Sequence, residues 1–210
     1  LLNDIGPSEY DRITDSLGAQ LIRLSATWGD TPAGYPRLLS LTALMTGALC
    51  IAGHDKLADT TEPQLTAVLD EQLLSDGGHV TRNPAVVVEI LLDLLPLRTC
   101  FHARRRPMPA SVEQAMTRML RFIRFLRLGD GGLARFNGMG ASPFDSLATL
   151  LGYDPAPDMP LESAPASRYA KLAAGRSVVI ADIGAPPPLV HATQASSGAL
   201  SFELSVGTQA

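Results

Sequence analysis

Along residues 10–151 apolar side chains recur at spacings of three and four, the period of one helix face, whereas near the chain end they alternate. Tyr10, Ile13, Leu17, Leu21, Leu24 and Trp28 form the first stripe, with Ser8 and Asp11 set as a capping box and Gly29 as the stop. A second helix is predicted from about Pro36 to Gly53, and its few polar positions imply burial on most sides. The third places Leu65, Val68, Leu69 and Leu73 on one face, with Pro63 in its first turn and Asp76-Gly77-Gly78 as its end. The fourth starts at Asn83 as N-cap and Pro84 at the first helical position. Its length through Leu95 outweighs the β-branched run Val86-Val87-Val88, and Pro96 is expected to kink it. Ser111 and Gln114 cap a fifth helix that ends at Gly129 and is followed by a second Asp-Gly-Gly, residues 130–132. A short sixth helix runs from Ser142 to about Leu151, with Pro143 in its first turn. Short turns between such elements imply stacked antiparallel helix pairs.

After Tyr153 the pattern changes. "DPAPDMPLESAPAS" is proline-rich and aperiodic, as linkers are. Two short extended segments then flank Ala174-Gly175, "APPPLV" cannot be a central strand, and "ALSFELSV" alternates like a half-buried strand. The expected organisation is α+β and mostly α: a helical region at 1–153, a linker at 154–167 and the start of a β domain at 168–210. The chain opens on Leu1 and closes just after a strand pattern begins, so a piece of a longer protein is expected.

Composition narrows the classes. A hydrophobic share of 46% with 18% charged residues suits a globular chain, and a formal net charge of −4 argues against a nucleic-acid binder. The longest apolar run, Leu38 to Ala52, is shorter than the roughly 20 residues of a membrane span and carries Ser40, Thr42 and Thr46. Cys50 and Cys100 fall inside apolar helical patterns and read as small buried hydrophobes. No HxH, HExxH or CxxC spacing suggests a metal site, and no GxSxG, Walker or dinucleotide motif suggests a cofactor.

Two places could carry chemistry. Arg118, Arg121, Arg124 and Arg127 spread over one half of the fifth helix, which reads as a solvated face or as a groove for a polyanion. His79 and Arg82 lie just before a helix N-terminus, where free N–H groups and the macrodipole favour an anion; Asn83 is explained as the cap. His54 and His102 sit at helix ends and are expected to be exposed.

The loop "DGGHVTRNP", the turn "GDGGLARFNG" and the terminal "LSFEL", in that order, resemble the heparinase II/III family of polysaccharide lyases and its bacterial relatives. The resemblance implies an (α/α) toroid joined to a β-sandwich, an acidic polysaccharide between them, and a place in the periplasm or cell envelope. It implies β-elimination on a uronic-acid chain, in which a cation or amide stabilises the carboxylate while a Tyr or His moves protons. Laid on the lyase pattern, however, Thr81 stands at the glutamate, Asn83 at the serine and Val86 at the catalytic tyrosine. Ser40 and Leu41 stand at the Asn-His pair, and Ser196 at the β-domain histidine. His79, Arg82, Asn83 and Asn137 are then the candidate substrate-binding residues, with no catalytic residue assigned, and His191 is a weaker substitute for the histidine. The expectation is a heparinase II/III-like lyase of doubtful competence, the alternative a glycan-binding or structural module on the same scaffold.

Overall fold

The structure, a computed structural model, describes residues 6–153, 161–192, 198 and 200–210. Six helices precede a three-stranded antiparallel sheet: α1 Pro7–Thr27, α2 Tyr35–Cys50, α3 Asp55–Gln72, α4 Pro84–Ala103, α5 Ala110–Phe125, α6 Phe144–Gly152, β1 Tyr169–Ala174, β2 Ser177–Asp182 and β3 Phe202–Val206. The chain is thus α+β with helices dominant, as its periodicities imply. No helix among the described residues is long and apolar enough to cross a membrane.

The near-continuous apolar run of α4 makes it the central helix. It buries a broad face, from Val87 through Leu94 to Phe101, against α2, α5 and α6, while Glu89, Pro96 and Thr99 stay exposed. The β-branched run is tolerated because Val87 and Val88 are buried and Val86 half-buried in a helix whose first turn is already fixed by Asn83 and Pro84: the Asn83 side chain accepts from the Ala85 N–H at 2.9 Å. Pro96 does not end α4. Its ring faces outward while Leu95 and Leu97 stay buried on either side, so packing carries the helix on to Ala103.

The third helix also departs from expectation. It starts at Asp55, so Pro63 lies in its interior instead of its first turn. Ala58 and Thr61 are buried and extend the stripe of Leu65 and Leu69 towards the N-terminus, while Asp59 and Glu62 pair with Arg106. Burial and charge pairing outweigh one missing backbone donor. Smaller differences occur at the caps: α1 is capped by Gly6 with Glu9 reaching back to its N–H, α5 by Pro109 and α6 by Pro143. Cys50 is exposed and Cys100 half-buried, so neither is the fully buried side chain the pattern suggested.

After α3 and α5 the chain makes the same turn twice. Leu73 bridges His79 and Arg127 bridges Leu133 in antiparallel fashion. In both, the residue two before the Asp donates to the second Gly carbonyl, Leu74 to Gly78 at 2.8 Å and Leu128 to Gly132 at 2.9 Å. Gly77 adopts φ +92° and lies so close to α5 that a Cβ there would sit 2.2 Å from the Arg118 carbonyl oxygen, so only glycine fits.

The first turn meets the segment just before β1 at Ser167, and the second meets the end of β3 at Ser205 and Gly207. The strands pair in the order β1-β2-β3, with Leu172 opposite Val179 and Val179 opposite Leu204. The strand alternation in β3 is present, but its polar side faces the helices: Ser205 is buried and its hydroxyl accepts from the Gly129 N–H at 2.9 Å, while Glu203 pairs with Arg135. Leu172, Phe202, Leu204 and Val206 face away, exposed. The strand docks on backbone-rich turns, whose N–H groups require polar partners, and this reverses the simple assignment of apolar side to core. Lys171 completes the junction by donating to the Phe125 and Arg127 carbonyls at the end of α5, where free carbonyls favour a cation.

Candidate functional site

All four candidate residues are buried where the turns meet the strand region: His79 is 1% exposed, and Arg82, Asn83 and Asn137 are 7%, 5% and 5%. Arg82 and Asn137 come together; His79 bonds Gln72 and Thr81 instead, and Asn83 is occupied as the cap of α4.

Arg82, at φ +59°, reaches from the turn before α4 into the strand region. Its Nε donates to the Ser167 carbonyl at 2.9 Å, Nη1 to the Ala185 carbonyl at 2.6 Å, and Nη2 to the Arg168 carbonyl and the Asp182 carboxylate. Asn137 donates to the other Asp182 oxygen at 3.0 Å and to the Tyr169 hydroxyl at 2.9 Å. That hydroxyl in turn donates to the Arg82 carbonyl, and the Tyr169 ring stacks on Phe136 with centroids 5.1 Å apart. Burial pushes the Tyr169 phenol upward, so it stays protonated. Asp76, in the first Asp-Gly-Gly turn, takes the Ser167 N–H at 2.7 Å and its hydroxyl at 2.6 Å. Ala164 and Ser167 are buried, so the second half of the proline-rich stretch is fastened down; residues 154–160 lie outside the described residues.

His79 sits in a second chain of bonds. The Thr81 N–H can only donate, so Nδ1 of His79, 3.2 Å away, is the acceptor and the ring proton is on Nε2. Nε2 then donates to the Gln72 side-chain oxygen at 3.1 Å, and the Gln72 amide donates to the Gly34 carbonyl at 3.0 Å. Burial, with a smaller contribution from His191, lowers the imidazole to about 4. A neutral, doubly bonded ring of this kind is a poor proton carrier near neutrality.

Beside Gly34 the site becomes more open. The Tyr35 hydroxyl donates to Asp93 at 2.8 Å and approaches Glu89 at 3.5 Å; Glu89 and Asp93 lie one turn apart on α4. Burial and both carboxylates raise the Tyr35 phenol, and burial raises Asp93. Val86, which the resemblance sets at the place of a catalytic tyrosine, offers no proton, and position 196 lies outside the described residues. His191 reaches this region from a single turn of 3-10 helix, Leu189–His191; a Cβ on Gly34 would meet its Nδ1 at 3.4 Å. Arg118, Arg121 and Arg124 of α5 and Arg127 just beyond its end are half-buried, and Arg127 donates to the Gly131 carbonyl, so they are not a simple solvated face. No group of three or more His, Cys, Asp or Glu among the described residues could hold a metal ion.

Sequence reasoning missed Tyr35, Gln72, Tyr169 and Asp182, whose partners are tens of residues away. Asp76 carried a signal, its identical placement with Asp130, but read as a helix stop it did not disclose the bond to Ser167.

Against curated proteins, the chain is 38% identical over 150 residues to FtsZ-localized protein C of Caulobacter vibrioides (strain NA1000 / CB15N), a match that covers 71% of this chain and 26% of that protein. The chain therefore spans about a quarter of that relative. No solved structure matches. Residues 156–210, which contain the three strands and Tyr169, Asp182 and His191 of the junction, match the family described as Heparinase II/III-like, C-terminal.

Proposed function

We propose that this chain is a segment of a heparinase II/III-like protein that keeps the lyase scaffold without the cleavage chemistry, a non-catalytic module that binds acidic polysaccharide. In this reading the helix pairs are part of an (α/α) toroid, the strands open a β-sandwich, residues 1–153 and 168–210 are its two domains, and the protein works in the periplasm or cell envelope. The observation that carries it is the state of the polar groups. The Arg82 guanidinium and the Asn137 amide are engaged by Asp182, Tyr169 and backbone carbonyls, and His79 is held neutral. β-Elimination needs a cation or amide free to meet the developing charge and a base titrating near the working pH. His79, Arg82, Asn83 and Asn137 are read as the rigid frame of a binding surface whose polysaccharide contacts lie on its exposed rim.

Incubation with heparin, chondroitin sulfate and alginate should produce no ultraviolet absorbance from unsaturated uronate, while retention on immobilised heparin should fall as salt rises. Accumulating unsaturated product would restore the lyase reading. Retention no greater than that of a neutral-sugar column would remove the glycan.

A second reading draws on the FtsZ-localized relative: the module serves positioning or assembly together with FtsZ. A fluorescent fusion of the full-length protein that follows FtsZ through division, with unchanged localisation after polysaccharide digestion, would favour it over the first.

A further inference from the structure

The far ends of α2 and α4, away from the junction, bring Cys50 and Cys100 together with their sulfurs 3.6 Å apart. Cys50 is the last residue of α2 and is exposed; Cys100 is half-buried, one turn before the end of α4. Nothing in the junction uses either thiol. The geometry points to Cys50 and Cys100 as a dithiol–disulfide exchange site that takes small-molecule disulfides and closes a bridge between the ends of the two helices.

The chemistry is ordinary exchange. The deprotonated sulfur of Cys50, the accessible one, attacks an external disulfide; one of its thiolates leaves and Cys50 becomes a mixed disulfide. Cys100 then loses its proton to solvent and attacks the Cys50 sulfur, expelling the second thiolate. The sum is two protein thiols plus one disulfide giving one protein disulfide plus two small thiols. Cys100 suits the second role, since burial and the neighbouring Cys50 push its thiol up to about 11 and keep it from reacting first. The sulfurs must approach by a further ~1.5 Å, a movement within reach of side-chain rotation. Cys50 also lines a groove of about 520 Å³ between α1, α2 and α4, together with Leu17, Leu21, Thr46, Leu92 and Pro96. A bridge fixes the separation of two of its walls.

The test exposes the reduced 210-residue chain to excess oxidised glutathione, in native buffer with helical circular dichroism verified and in concentrated urea, with acid quenching and mass measurement. Expected in native buffer are loss of two hydrogens from a monomer, a linked pair of Cys50 and Cys100 peptides, and ring closure roughly 100-fold or more faster than in urea, because folding holds the sulfurs together. The oxidised chain should unfold on the order of 10 °C higher than the reduced one. Cys100→Ser should stop at a glutathione adduct on Cys50, and Cys50→Ser should acquire its adduct more slowly. A lasting adduct on the native chain, disulfide-linked dimers, or closure no faster than in urea would each overturn the assignment. Equal adduct rates in the two variants would overturn the order of attack.

Discussion

At the scale of single residues, burial decides what each polar group can do. His79 titrates at about 4 in the folded chain against 6.5 in an unfolded one. As pH falls below 6.5 the unfolded chain therefore takes up the proton first. The stability that His79 contributes is complete above 6.5, declines through the window, and is lost at about 4. The difference corresponds to ~3 kcal/mol. Urea denaturation at a series of pH values should show this slope, and His79→Gln, which cannot titrate, should flatten it; equal slopes in the two proteins would remove His79 as the cause. Arg82 poses the complementary case. Arg82→Ala leaves the Asp182 carboxylate buried with only Asn137 and the Gly184 N–H, so a loss of about 3–5 kcal/mol is expected by denaturant titration.

At the scale of elements, the two Asp-Gly-Gly turns show one backbone solution with two uses. Asp130 holds its own loop by accepting from the Gly132 N–H at 2.8 Å, whereas Asp76 does the same for Gly78 and also grips Ser167, 91 positions away. Asp76→Asn should accordingly destabilise the strand region more than Asp130→Asn, read as the difference in hydrogen-exchange protection of β1 and β2. Pro63 sits exposed in the interior of α3, where it denies the helix one hydrogen bond. Pro63→Ala should raise stability by about 1–3 kcal/mol, checked by thermal unfolding, with the loss of proline's constraint on the unfolded chain offsetting part of the gain.

For the molecule as a whole, two apolar surfaces lie open. Tyr10, Ile13, Leu17 and Ile22 of α1 are exposed, and so is the outer face of the sheet, where Leu172 is 72% and Phe202 64% accessible. Contiguous apolar faces of this kind favour association. The double variant Phe202→Lys, Leu204→Lys should therefore reduce concentration-dependent self-association in sedimentation velocity. Its unfolding free energy should change by no more than about 0.5 kcal/mol, since neither side chain is in the core. If association persists unchanged, the face is not what drives it. The buried polar junction works in the opposite sense: Arg82, Asn137, Asp76 and Lys171 fasten strands to helix ends by directional bonds.

The amino-acid sequence by itself determined the six helices, the two extended segments around Gly175 and the alternation of the last strand, because each follows from local spacing, caps and turns. It also marked residues 79–83 and 137 as special. What they touch was decided only by tertiary structure: Arg82 meets Asp182 one hundred positions away, and no local pattern records such a meeting. Tertiary packing likewise kept Pro63 and Pro96 inside helices, where burial of neighbouring side chains outweighed the missing donors, and turned the polar side of β3 inward, where unpaired backbone N–H groups required acceptors.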